Sequence, residues 1–93
     1  MRIIKQSSQF KHDIKREKKG KYGKILEEIL MPVLISLASD EALPQNLCDH
    51  ALIGSKKGFR DCHIKPDLVL IYQKKDDNTL HLVRLGSHSE LSL

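Results

Sequence analysis

The stretch Phe59-Arg60-Asp61-Cys62-His63-Ile64-Lys65-Pro66-Asp67-Leu68-Val69-Leu70-Ile71-Tyr72-Gln73 decides the fold. Phe59 to Ile64 predicts one strand and Leu68 to Gln73 a second, with Lys65-Pro66-Asp67 turning between them. Thr79 to Leu85 predicts a third, reached through the Asp- and Asn-rich turn from Lys74 to Asn78. Turns this short join antiparallel neighbours, because a parallel pair needs a long crossover. The C-terminal half therefore reads as a β-meander.

Working back towards the N-terminus, the periodicity changes from two to that of a helix. Tyr22, Ile25, Leu26, Ile29, Leu30, Val33, Leu34 and Leu37 follow helical spacing, while Lys24, Glu27 and Glu28 face water. Met31 and the leucine stripe belong to a core. Pro32 removes one backbone donor and predicts a kink. Ser39-Asp40-Glu41 and Pro44 end the helix. Before it, Ser7 or Ser8 is placed to cap a shorter helix, in which Phe10 and Ile14 share a face and Lys11, Lys15 and Lys18 lie outside. Gly20 and Gly23 separate the two, and Met1 to Lys5 predicts a short strand. The expected architecture is a single α+β domain over residues 1–93, with two N-terminal helices packed on one face of a small antiparallel sheet. The opposite face is left free for function.

Composition narrows the function classes. At 93 residues there is room for one domain and one modest core. The most apolar stretch, Ile29 to Ala38, is too short for a membrane span and contains Pro32, and the N-terminal residues lack a signal-peptide core. These features point to the cytoplasm, with no membrane partner. Cys48 and Cys62, the only cysteines, then read as free thiols. The formal net charge is +4, and Lys11, Lys15, Arg16, Lys18, Lys19, Lys21 and Lys24 crowd one short segment against Asp13 and Glu17. Taken alone this is a solvated helix face; beside other nucleic-acid signals it is a phosphate-binding surface.

The candidate chemistry lies in histidines. Of the five, His50, His63 and His88 follow or flank charged and small polar residues in Asp49-His50, Arg60-Asp61-Cys62-His63 and Gly86-Ser87-His88, at strand ends and loops. Imidazole suits proton transfer near neutral pH. RNA cleavage by a neighbouring 2′-hydroxyl needs a base, an acid and cations around the phosphate, and histidines with Arg60 or Arg84 supply those types. Zinc is the competing use of Cys48-x-His50 and Cys62-His63, but on one strand Cys62 and His63 point to opposite faces. Gly54-Ser55-Lys56-Lys57-Gly58 lacks the spacing of a phosphate loop, and no oxyanion-hole motif accompanies a Cys–His pair.

Residues 49–72, with D-H-x-L-x-G followed by R-D-x-H-x-x-P-D, and residues 82–91, with R-x-G-S-H, resemble the RelE/YafQ family of toxins. The resemblance implies a RelE-like, microbial-ribonuclease-like fold. It implies a ribosome-dependent endoribonuclease that cuts mRNA in the A site of the 70S ribosome, without metal or cofactor. It implies neutralisation by a cognate antitoxin, usually of ribbon-helix-helix type, through which alone operator DNA is bound. The family's catalytic set falls on His50, His63, Asp67 and His88, its sheet arginine on Arg84, and its motif arginine and acid on Arg60 and Asp61. Lys15, Arg16, Lys18 and Lys19 then become RNA contacts. Two positions depart from the pattern: Leu68 stands where relatives carry tryptophan, and Ser92-Leu93 stand where they carry an aromatic. Stacking on an unpaired base is correspondingly reduced. The alternative is a weakly catalytic or non-catalytic relative that binds ribosome and antitoxin.

Overall fold

Helix α1 (Ser8–Lys18) starts at Ser7, whose extended backbone and side-chain oxygen, accepting from the Phe10 N–H at 2.9 Å, form the expected cap. This is a computed structural model that describes residues 1–93, the side chain of Ser55 excepted. Strand β1 (Ile3–Gln6) precedes α1. Helix α2 (Leu26–Ala38) follows it and runs through Pro32. A one-turn 3-10 helix at Gln45–Leu47 leads to the short strand β2 (His50–Ala51), and a second at Gly54–Lys56 leads to β3 (Arg60–Lys65). Strands β4 (Leu68–Lys75) and β5 (Thr79–Gly86) complete the chain.

The five strands form one sheet in the order β1-β5-β4-β3-β2. Strands β2 to β5 are antiparallel, as the short turns require. Strand β1 joins β5 in parallel, pairing Ile3 with Thr79 and Gln6 with Leu82, so the sheet is mixed where a wholly antiparallel one was expected. Both helices lie between β1 and β5 in the chain and provide the long crossover a parallel pair needs.

The helices cover one face. Phe10, Leu26, Leu30, Val33, Leu34 and Leu37 pack on Cys62, Ile64, Leu70, Tyr72, Leu80, Leu82 and Leu85. On the other face Val69 and Ile71 meet Leu91 of the C-terminal turn, with Leu52, Phe59 and Val83 around them. That face is thus partly covered by the chain's own end, and the histidines lie beside the covered part. No helix among the described residues is long and apolar enough to cross a membrane.

One polar lock joins α1 to β5. Beyond Leu82, β5 has no strand beside it on the β1 side, and α1 takes that place. The buried Asp13 carboxylate accepts from the Leu85 N–H at 2.9 Å, from Arg84 Nε at 2.8 Å and from Arg84 Nη2 at 3.2 Å. Arg16 donates to Asp13 at 2.9 Å and to the Leu85 carbonyl at 2.7 Å. The exposed edge of β5 is thereby satisfied by side chains of a helix.

Candidate active site

Strand register brings three histidines together. In β3 the side chains alternate, so Cys62 enters the helix-side core while Asp61 and His63 face the other way. His50 in β2 pairs with Asp61. His63 pairs with Val69, which in turn pairs with Gly86, so the turn after β5 places His88 near His63. The ring centroids of His63 and His88 are 5.0 Å apart, and those of His50 and His63 are 6.3 Å apart, both edge-on. Three elements far apart in sequence thus supply the histidines of one cluster, which also contains Asp67.

Hydrogen bonds fix the tautomers of the outer two rings. His88 Nδ1 lies 2.7 Å from Asp67 Oδ1, which also accepts the His88 backbone N–H at 3.0 Å. The bonds from His88, backbone then side chain, hold Asp67 below the usual carboxylate range, and the nearby Lys21 ammonium adds to this. An ionised Asp67 only accepts, so His88 Nδ1 carries the proton and Nε2 is left without a hydrogen-bond partner among the described residues. His50 Nδ1 donates to the Cys48 carbonyl at 2.7 Å, which leaves its Nε2 with a lone pair in the neutral ring. Cys48 can present that carbonyl because its backbone is left-handed, at φ 51°. His63 makes no side-chain hydrogen bond among the described residues.

Asp61 lies at the base of the cluster. Its side chain is 4 % exposed, and its Oδ1 sits 3.1 Å from His50 Nδ1 at an angle that makes no hydrogen bond. Burial pushes its carboxyl above the usual range, and the facing His50, His63 and His88 oppose that rise. The motif matches at Asp61 but gives it no role. Its spacing of two from His63 on one strand is the signal that places it in the site.

The residues expected to hold phosphate have divided roles. Arg84 is engaged by Asp13. Arg60 lies on the strand face opposite His63, where its Nε is 3.3 Å from Asp49; Tyr72 Oη donates to the same carboxylate at 2.5 Å. The structure therefore does not bring Arg60 into the histidine cluster. Arg16 is held by Asp13, Glu17 and Glu90. Lys15, Lys18 and Lys19 are exposed on α1 and at its end. Cys62 is fully buried and its thiol is pushed up to about 12 by burial, which makes it a core residue rather than a nucleophile.

The family model describing the bacterial YafQ toxin of type II toxin–antitoxin systems matches residues 2–93. The chain is 39 % identical over 90 residues to the mRNA interferase toxin YafQ of Escherichia coli strain K12, covering 97 % of this chain and 95 % of that protein. Among solved structures, a copper-bound mutant toxin from Helicobacter pylori superposes with a TM-score of 0.86 at 40 % identity, over 98 % of this chain and 99 % of that one. The E. coli DinJ–YafQ complex contains a chain similar at a TM-score of 0.75 and 36 % identity, with 98 % of each covered.

Proposed function

Because the chain belongs to the YafQ family of type II toxins, we propose that it is a ribosome-dependent mRNA endonuclease whose histidine cluster performs acid–base catalysis without a metal. The observation that carries this reading is the ring triad itself: His50 and His88 each engage Nδ1 in a hydrogen bond, which leaves Nε2 for chemistry, and the His63 ring is near both.

The chemistry needs one proton removed and one delivered. His50 Nε2 takes the proton from the ribose 2′-hydroxyl. The 2′-oxygen forms its bond to phosphorus while the bond from phosphorus to the 5′-oxygen breaks. His88 Nε2 gives a proton to that leaving oxygen, and a 2′,3′-cyclic phosphate remains. Asp67 holds His88 in the productive tautomer and stabilises its cationic form. His63 and the buried Asp61 add charge complementary to the pentacoordinate phosphate and the imidazolium ions around it. Lys21, beside Asp67, and Arg84, on β5 where Asp13 holds it, are the candidate phosphate contacts. Lys15, Lys18 and Lys19 bind ribosomal RNA, positioning the toxin without reading sequence.

A cognate antitoxin, of ribbon-helix-helix type, is the proposed inhibitor and the route to operator DNA. The E. coli DinJ–YafQ toxin–antitoxin complex is the precedent for an antitoxin partner. The protein acts in the cytoplasm, where its ribosomes are.

The deciding experiment is single-turnover cleavage on programmed ribosomes in magnesium buffer, comparing untreated toxin with toxin stripped of transition metals by EDTA and then freed of the chelator. His88→Ala should lower the rate at least about a hundredfold, and the stripped wild type should cleave at the untreated rate. A stripped toxin that cleaves only after copper or zinc is returned would refute the metal-free reading, which matters because one structural neighbour is copper-bound. If His88→Ala cleaves within about threefold of wild type, the proton donor is not His88. The alternative, a ribosome- and antitoxin-binding relative that cuts weakly, predicts that wild type and His88→Ala arrest growth equally. The reduced aromatic content at Leu68 and Ser92-Leu93 is the feature that favours it.

A further inference from the structure

The turn carrying His88 is closed by two residues and held by a third from α1. Glu90 Oε1 accepts from the Ser87 N–H at 2.8 Å, and Ser87 Oγ accepts from the Glu90 N–H at 3.1 Å. This is the reciprocal Ser-x-x-Glu arrangement that fixes a first helical turn, and His88 is the residue just inside it. From α1, Arg16 Nε lies 3.0 Å from Glu90 Oε2. The same guanidinium donates through Nη2 to the Leu85 carbonyl and through Nη1 to Asp13. One side chain therefore ties the last residues of β5, the turn beyond them and helix α1 together. Gly86 lies between them: a Cβ there would stand 2.7 Å from Arg16 Nη2 and 3.1 Å from Glu90 Oε1, so those side-chain ends would have to shift.

We propose that Glu90, held by Arg16, is a positioning residue for His88, and that Ser87, Glu90, Arg16 and Gly86 form a latch setting the distance between the His88 and His63 rings. The inference rests on the reading of His88 as proton donor. Asp67, the other partner of His88, has a side chain 68 % exposed in the turn between β3 and β4 and fixes the ring's orientation. Glu90 acts on the backbone that carries the ring. Ser87 holds the Glu90 carboxyl below its usual range, with Arg16 adding to this, so its oxygens are acceptors for the Ser87 N–H throughout the neutral range. A misplacement on the order of 1 Å at a reacting group costs roughly a hundredfold in rate, so a loosened latch acts on chemistry and not on docking.

The test combines kinetics with a measurement that does not use cleavage. Glu90→Ala should lower the single-turnover rate on programmed ribosomes about tenfold or more, with the half-saturating toxin concentration unchanged. Glu90→Gln, whose amide oxygen still accepts from the Ser87 N–H, should recover most of the rate. Gly86→Ala, which forces Arg16 and Glu90 apart, should resemble Glu90→Ala while its far-UV circular dichroism stays that of wild type. In NMR, the cross-peak between the His63 and His88 rings should disappear in Glu90→Ala, and the His88 amide should exchange faster. Retention of both the ring contact and the amide protection in Glu90→Ala overturns the latch, as does a wild-type cleavage rate in that variant. A raised half-saturating concentration with an unchanged rate also overturns it. A wild-type protein that fails to cleave refutes the proposed function instead, and the NMR measurement then decides the latch alone.

Discussion

Asp61 illustrates how a single residue divides stability from chemistry. It is a carboxylate buried beside three imidazoles, with one oxygen unpartnered. Its folded-state pKa lies above the unfolded value, so in the window between them the folded chain holds a proton that the unfolded chain has released. Stability therefore falls as pH rises through that window and stays lower above it. Asp61→Asn removes this effect. The expected outcome is a variant with a higher melting temperature than wild type at pH 7, a smaller gain near pH 4, and slower cleavage. Melting curves at the two pH values check it; a gain no larger at pH 7 than near pH 4 would show that burial of the charge is not the dominant effect at this residue.

At the scale of elements, the join between α1 and β5 has the largest expected energetic consequence. Asp13 was legible only as a minor acid in a basic run, yet its carboxylate satisfies Arg84, Arg16 and the Leu85 N–H from inside the fold. Removing one partner of a buried, hydrogen-bonded pair costs about 3–5 kcal/mol, much of it from the groups left behind; with Arg84 partly exposed, the lower end applies here. Asp13→Ala should accordingly lose about 3 kcal/mol in urea titration, and a loss under about 1 kcal/mol would mean water replaces the carboxylate. Against the cost of burial, the hydrogen bonds from Arg84 and Leu85 and the charges of both arginines hold the Asp13 carboxyl below its usual range. For a depressed acid the contribution is complete above the unfolded value and is lost as pH falls through the folded one. The urea midpoint of wild type should thus drop below about pH 4, and Asp13→Asn should flatten that drop. Arg84, expected from the motif to touch phosphate, is foremost a strut of this join.

Across the whole molecule, charge and chemistry occupy different regions. The net charge is +4, and Lys15, Lys18 and Lys19 leave α1 for solvent while Arg16 is diverted to carboxylates. Replacing those three lysines by Gln should weaken ribosome binding and reduce the slope of log affinity against log salt by roughly two to three. The cleavage rate at saturating toxin should stay as in wild type. Binding measured across a salt series checks this, and an unaltered slope would remove the lysines from the ribosome interface. Arg16→Gln is expected to behave differently, acting on the rate through the turn that carries His88.

What the sequence determined by itself is local. The Ser7 cap, the helical stripe from Leu26 to Leu37 and the short turns of the meander depend on neighbours within a few residues, and periodicity reports them. The opposite orientation of Cys62 and His63 follows from strand geometry alone. The motif around His50, His63, Asp67 and His88 named the residues of the cluster, and the tertiary structure brought them within contact distance through the pairing of β2, β3, β4 and the turn after β5. Only that structure decided two other things. Strand β1 found its parallel partner 76 residues away, a pairing whose closure entropy is recovered by the core that both helices build. Asp13 and Arg84, 71 residues apart, met because β5 lacks a neighbouring strand beyond Leu82 and its edge must be satisfied. In each case the deciding energy is the burial or satisfaction of polar groups brought together by folding, and spacing along the chain carries no record of it.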